Sequence, residues 1–112
     1  MKIVSRKELM ELPNGTVYSE YAPCVFTGLS VKVDTWESDW LYDDLLTPVD
    51  TNGNDFADKC EMAERGIDVP LDFEQTSRDG MYEEKQPYAI YSREDVQKLI
   101  DRLKLSLLPQ SR

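Results

Sequence analysis

The chain has 112 residues, of which 40% are hydrophobic and 31% are charged, and its net charge is −9 at pH 7. This length predicts a single domain over residues 1–112, and the hydrophobic content predicts a folded chain rather than a disordered one. The absence of histidine excludes the commonest general base and metal ligand. The sequence contains no run of about 18 apolar residues, so no membrane helix is predicted.

The acidic residues are concentrated in the middle of the chain. Residues 34–84 contain 16 Asp and Glu against 3 Lys and Arg, whereas residues 1–33 and 85–112 carry net charges of +1 and +3. Because phosphates need cations facing them, this segment disfavours direct nucleic-acid binding. Its charge instead favours a basic protein surface as partner.

Two serine-capped helices are predicted near the two ends of the chain. Ser5 with Glu8, and Ser92 with Asp95, have the spacing of a capping box, and a short apolar stretch precedes each serine. Each stretch therefore predicts a strand, a cap and a helix. We attribute the likeness of the two stretches to shared capping rather than to an internal repeat.

Strands are predicted over 16–21, 24–34 and 39–45. The first follows the turn-forming Asn14-Gly15 pair, and the second shows apolar and polar residues in alternation from Leu29 to Asp34. The third contains Trp40 and Tyr42. The two cysteines, Cys24 and Cys60, belong to no metal or redox motif and are expected to be buried thiols.

A central helix is predicted over 54–65, with Gly66 after its end, and residues 66–86 are expected to form a long acidic loop. The last helix has an apolar stripe at helical spacing, formed by Val96, Leu99, Ile100, Leu103 and Leu107. The predicted fold is α+β. A small antiparallel sheet of three to five strands packs against the C-terminal helix, with a short N-terminal helix and a central helix.

One string partly matches a calcium-binding loop. In residues 50–61, "DTNGNDFADKCE", oxygen-bearing side chains occupy loop positions 1, 3, 5 and 12, but Asp55 stands where the sharp turn needs glycine. The string therefore predicts a turn leading into the central helix. We predict no metal, cofactor or catalytic residue.

A partner-binding surface is predicted in the acidic segment. Trp36 is its candidate aromatic anchor, because it stands among acidic residues in a predicted loop. The predicted partner-binding residues are Trp36, Glu37, Asp39, Asp43, Asp44, Asp72, Glu74, Asp79, Glu83 and Glu84. Alternatively, the same carboxylates form only a solvated face, or paired carboxylates for acid–base or Mg²⁺ chemistry.

Both ends of the chain resemble a group of short phage proteins. "MKIVSRKELMELPNGTVYSEYAPCVF" and "YAIYSREDVQKLIDRL" are similar to the terminal segments of short proteins of unassigned function encoded in bacteriophage and prophage genomes. The resemblance implies a phage-type accessory protein and assigns no site residues.

These observations predict a non-enzymatic acidic protein that binds a protein partner. The partner surface would be basic, and in the sharpest form the protein mimics nucleic acid or inhibits a host defence protein. The alternatives are a small carboxylate- or metal-dependent enzyme and a self-associating assembly protein. The charged N-terminus lacks the apolar core of a signal peptide, which predicts a cytoplasmic protein, in the host cytoplasm if it is phage-encoded.

Overall fold

The computed structural model describes residues 1–46, 56–80 and 83–109. In chain order, its elements are β1 (Lys2–Val4), α1 (Arg6–Glu11), β2 (Val17–Glu20), β3 (Ser30–Thr35), β4 (Trp40–Asp44), α2 (Phe56–Glu64), β5 (Ser77–Arg78), β6 (Tyr88–Tyr91) and α3 (Arg93–Leu107). These strands form one antiparallel sheet in the order β1-β6-β2-β3-β4-β5. The predicted α+β class is confirmed, and the described sheet has six strands rather than three to five.

Both predicted capping boxes are confirmed. The Glu8 amide donates to the Ser5 hydroxyl at 3.2 Å, and the Asp95 amide donates to the Ser92 hydroxyl at 3.1 Å. In each box the acidic side chain also accepts from the backbone amide of the serine. The chain therefore enters α1 and α3 by the same local geometry.

The segment before β3 differs from its prediction. β3 begins only at Ser30, because a tight turn at Ala22–Val25, closed by a 3.2 Å backbone hydrogen bond, occupies the start of the predicted strand. Cys24 adopts a φ of +62° in this turn and is exposed, while Cys60 is half-buried. The expectation of two buried thiols is therefore wrong for Cys24, since a turn residue between two strands faces the solvent.

The core lies on one face of the sheet, beneath α1. Its main cluster is formed by Val4, Leu9, Tyr18, Trp40 and Tyr88, all buried. Val17 and Ala89, which alternate to the other face of the sheet, are also buried. Leu9 is the buried apolar residue of α1, and Arg6 is its buried charged residue. Because α1 has only six residues, it covers one end of this face and leaves the other end open.

The described part of the acidic middle contains a helix and a short strand besides β4. α2 lies within the predicted helix 54–65. Residues 50–55, which are the first half of the calcium-like string and include the predicted helix start, lie outside the described residues. Gly66 follows α2 with a φ of +85°, as a helix-ending glycine does. The expected loop 66–86 contains β5, whose pairing with β4 adds a strand to the sheet edge.

The C-terminal helix α3 contacts the sheet only through its first turns. Val96 and Leu99 are half-buried, whereas no residue of α3 is fully buried. The second half of the apolar stripe is exposed, at Leu103 and Leu107. No helix among the described residues is long and apolar enough to cross a membrane.

Candidate functional site

A concave pocket occupies the end of the sheet face that α1 leaves open. Its volume is about 190 Å³. Three tyrosines and three carboxylates define it, and we call it the acidic pocket: Tyr18, Tyr42, Tyr88, Glu20, Asp44 and Asp79. Thr27, Gly28, Ser30 and Trp40 complete the lining.

Strand alternation and register place these side chains on one face. Tyr18 and Glu20 are two residues apart on β2, as are Tyr42 and Asp44 on β4, so each pair points to the same side. In the sheet, Ser30 of β3 stands opposite both Tyr18 and Asp44. The register therefore brings residues from β2 and β4 to the two sides of one central strand.

The tyrosine wall is held by aromatic packing. The ring centroid of Tyr18 lies 5.9 Å from that of Tyr88 and 6.4 Å from that of Tyr42, with edge-to-face geometry in both pairs. The indole N–H of Trp40 donates to the Tyr18 hydroxyl at 2.8 Å. Such contacts fix ring orientations, so the pocket is preformed.

The tyrosines remain neutral, and the carboxylates supply the negative charge of the pocket. Burial, reinforced by Asp79, raises the pKa of Tyr88 to about 12. Burial also raises the pKa of Tyr18 and that of Tyr42, the latter with a further contribution from Asp44. At neutral pH the wall therefore consists of protonated phenols beside carboxylates.

Arg6 forms an ion pair with Asp79, which lines the inner part of the pocket. Its guanidinium donates to Asp79 at 2.9 Å and to the Ser38 carbonyl at 3.0 Å, and it stacks 4.8 Å from the Trp40 ring centroid. Asp39 lies 3.9 Å from the same guanidinium. This buried ion-pair network fastens α1 to the β4–β5 edge of the sheet.

Two of the predicted partner-binding residues are buried rather than exposed. Asp39 is buried and ion-paired with Arg6 and with the Arg78 guanidinium, so it cannot form part of an exposed surface. Asp79 is also buried, and it lines the inner part of the pocket rather than an exposed loop. The cause is the pairing of β5 with β4, which joins the Asp79 amide to the Trp40 carbonyl.

The other predicted residues are divided between the pocket and the surface. Asp44 lines the pocket and accepts from Ser30 at 2.7 Å, while Asp43 alternates to the opposite face and accepts from Thr76 at 2.6 Å. Trp36 is half-exposed, with the Arg78 guanidinium 4.8 Å from its ring centroid. Glu37, Glu74, Glu83 and Glu84 are exposed, and Asp72 is half-buried.

Glu20 and the three tyrosines were not among the predicted site residues. The usable signal was period-two alternation, which places Tyr18 with Glu20, and Tyr42 with Asp44, on shared strand faces. That signal could not join the two pairs, because strand order and register are not encoded within either segment.

Among the described residues, no group of three or more Asp, Glu, Cys or His side chains could hold a metal ion.

Comparisons with protein-family models, with curated proteins and with solved structures give no match to this chain.

Proposed function

We propose that this is a non-enzymatic binding protein that accepts a lysine or arginine side chain of a basic protein partner in the acidic pocket. The observation that carries the proposal is the convergence of Glu20, Asp44 and Asp79 on one concave, tyrosine-walled space. The ligand class follows from the charge and size of that space.

The size favours a side chain over a cofactor. Pockets for drug-sized ligands and cofactors measure about 300–1,000 Å³. At about 190 Å³, the acidic pocket is smaller than that range. One extended side chain with a polar tip is a ligand of suitable size, and a nucleotide is not.

The charge favours a cation. Asp79 is paired with Arg6, whereas Asp44 accepts from the neutral Ser30 hydroxyl and Glu20 is exposed at the entrance. An ammonium or guanidinium group would form charge-assisted hydrogen bonds with these carboxylates. Neighbouring tyrosine rings add a cation–π attraction.

The surrounding charge favours a basic partner surface. Residues 34–84 carry 16 acidic against 3 basic residues, and of the predicted surface acids Glu37, Glu74, Glu83 and Glu84 are exposed. Long-range attraction by such a field accelerates association with a cationic surface. Proteins that bind nucleic acid have cationic surfaces. They are therefore the partner class expected if this protein mimics nucleic acid.

The experiment compares pocket and surface carboxylates. Binding of oligolysine and oligoarginine peptides is measured by titration calorimetry for wild type, for Glu20→Gln/Asp44→Asn, and for the control Glu37→Gln/Glu74→Gln. Both double variants lose the same charge, but only the first alters the pocket. We expect the pocket variant to bind about tenfold more weakly, corresponding to about 1.4 kcal/mol, and the control to bind close to wild type.

Two results would count against the proposal. Equal weakening of both double variants would mean that peptide binding reflects net charge alone. Absence of peptide binding even at low salt, where attraction between exposed charges is strongest, would remove the basic partner altogether.

A further inference from the structure

The apolar stripe of α3 contains a seam suited to a second helix. Val96, Ile100, Leu103 and Leu107 follow one another at spacings of four, three and four residues. This alternation is that of the a and d positions of a two-helix seam. Exposure increases along it, from half-buried Val96 through 40% at Ile100 and 63% at Leu103 to 84% at Leu107.

An apolar groove accompanies the sheet-proximal half of the seam. It lies between the first turns of α3 and the strands β2 and β6, and its apolar lining includes Val17, Ile90, Val96 and Ile100. Its volume is about 780 Å³, which leaves room for more than one side chain. The same helix therefore carries a groove near its start and protruding leucines near its end.

We propose that α3 pairs antiparallel with the α3 helix of a second copy of this chain. A two-fold axis between Ile100 and Leu103 places each of these residues opposite the other in the partner copy, and Val96 opposite Leu107. Each a position then meets a d position, as antiparallel seams require. The protruding leucines of each copy enter the groove of the other, so the interface is self-complementary.

Several observations favour a second copy as the occupant. The four-three-four spacing suits packing against another helix, and the α3 helix of a second copy has the same spacing. Antiparallel pairing also opposes the two helix dipoles, which is favourable. An anionic lipid surface is disfavoured by the net charge of −9.

The proposed interface is small, so we expect the dimer to be weak. A helix of 15 residues spans about 22 Å. Stable complexes bury about 800 Å² on each partner, so the groove contacts must add to the helix pair. We therefore expect a dimer that dissociates on dilution, and this expectation does not depend on the ligand of the acidic pocket.

The experiment uses two leucines of the same helix with nearly equal exposure. Leu103 lies on the seam and is 63% exposed, while Leu105 lies on the opposite side and is 62% exposed. Sedimentation equilibrium over a range of concentrations is measured for wild type, Leu103→Glu and Leu105→Glu, with circular dichroism as the check on folding. We expect wild type and Leu105→Glu to dimerise reversibly and Leu103→Glu to remain monomeric.

The orientation is tested in a mixture of two differently isotope-labelled wild-type samples. Intermolecular nuclear Overhauser effects between Val96 and Leu107 support the antiparallel pair. Effects between Val96 and Val96 of the second copy, or between Leu107 and Leu107 of the second copy, overturn it. A wild type that stays monomeric at every concentration overturns the proposal, as does equal dissociation by both glutamate variants. If the whole protein stays monomeric and binds anionic lipid vesicles through α3, the dimer proposal is overturned in favour of a lipid surface.

Discussion

At the scale of single residues, Lys32 shows how one buried cation caps the end of a helix that is distant in sequence. Lys32 lies on β3, and its ammonium donates to the carbonyls of Leu9 at 3.2 Å, Met10 at 2.7 Å and Leu12. These carbonyls belong to the end of α1, where a helix leaves its last acceptors unpaired. Burial lowers the pKa of Lys32, with Asp34 opposing this effect, so desolvation is the cost of the cap.

Replacing Lys32 by methionine tests the balance of these terms. We expect Lys32→Met to lower the free energy of unfolding by about 2–4 kcal/mol, because hydrogen bonds to charged groups contribute about 1.5–3 kcal/mol each and three carbonyls lose their donor. Lys7→Met, the same change at an exposed position of α1, should stay within about 0.5 kcal/mol of wild type. Urea unfolding measures both, and a Lys32→Met variant as stable as wild type would show that desolvation dominates.

At the scale of elements, two helices share one capping box but differ in packing. α1 has Leu9 in the core, so its formation is coupled to that of the sheet. α3 has no fully buried residue and contacts the sheet only through its first turns. The same local solution therefore supports the core in one case and a projecting helix in the other.

Removing each cap should accordingly have different consequences. Ser5→Ala should reduce the global free energy of unfolding by about 1 kcal/mol, the usual loss of an N-cap. Ser92→Ala should instead increase amide exchange within α3 and leave the sheet amides nearly unchanged, because local opening does not require global unfolding. Hydrogen exchange at a dilution that favours monomer distinguishes the two. Equal protection losses throughout the sheet in Ser92→Ala would contradict this view of α3.

At the scale of the whole molecule, one sheet face is shared between a hydrophobic core and a polar pocket. Tyr18 and Tyr88 belong to both, since they are buried beneath α1 and also line the acidic pocket. Their hydroxyls are therefore shielded from water and lie near Asp79. Stability and the shape of the site depend on the same side chains.

Because Tyr18 and Tyr88 are buried in the core, the protein is expected to lose stability at alkaline pH. Tyrosine in an unfolded chain has a pKa of about 10, whereas burial, reinforced by Asp79, raises the pKa of Tyr88 to about 12 and that of Tyr18 further. A raised pKa contributes stability that is complete below pH 10 and is lost as the pH rises through the folded value, because the unfolded chain releases protons first. Phenolate absorbance should therefore increase together with loss of circular dichroism.

Replacing one tyrosine provides the control for this pH dependence. Tyr88→Phe removes one of the titrating groups, so its stability should decrease less steeply between pH 10 and 12 than that of wild type. The comparison concerns the slope with pH, since the variant also loses the hydrogen bond between Arg6 and the phenol. Ionisation of all tyrosines near pH 10 without unfolding would contradict the prediction.

Elements whose causes lie within a few residues could be predicted from the local sequence. The boxes at Ser5 and Ser92, the strands around Tyr18 and Trp40, and the helix-ending Gly66 were all predictable. Caps, alternation and positive φ are set by neighbours along the chain, so these signals survive without knowledge of the fold.

The burial of charged residues and the exposure of apolar residues depend instead on how the elements pack together. Arg6 contacts Asp79, which lies 73 positions later in the sequence, and this pairing exists only because β5 joins the edge of β4. The exposure of Leu103 likewise depends on where α3 leaves the sheet, not on its helical spacing. Burial is a property of strand order and register, which bring together residues that carry no local mark of one another.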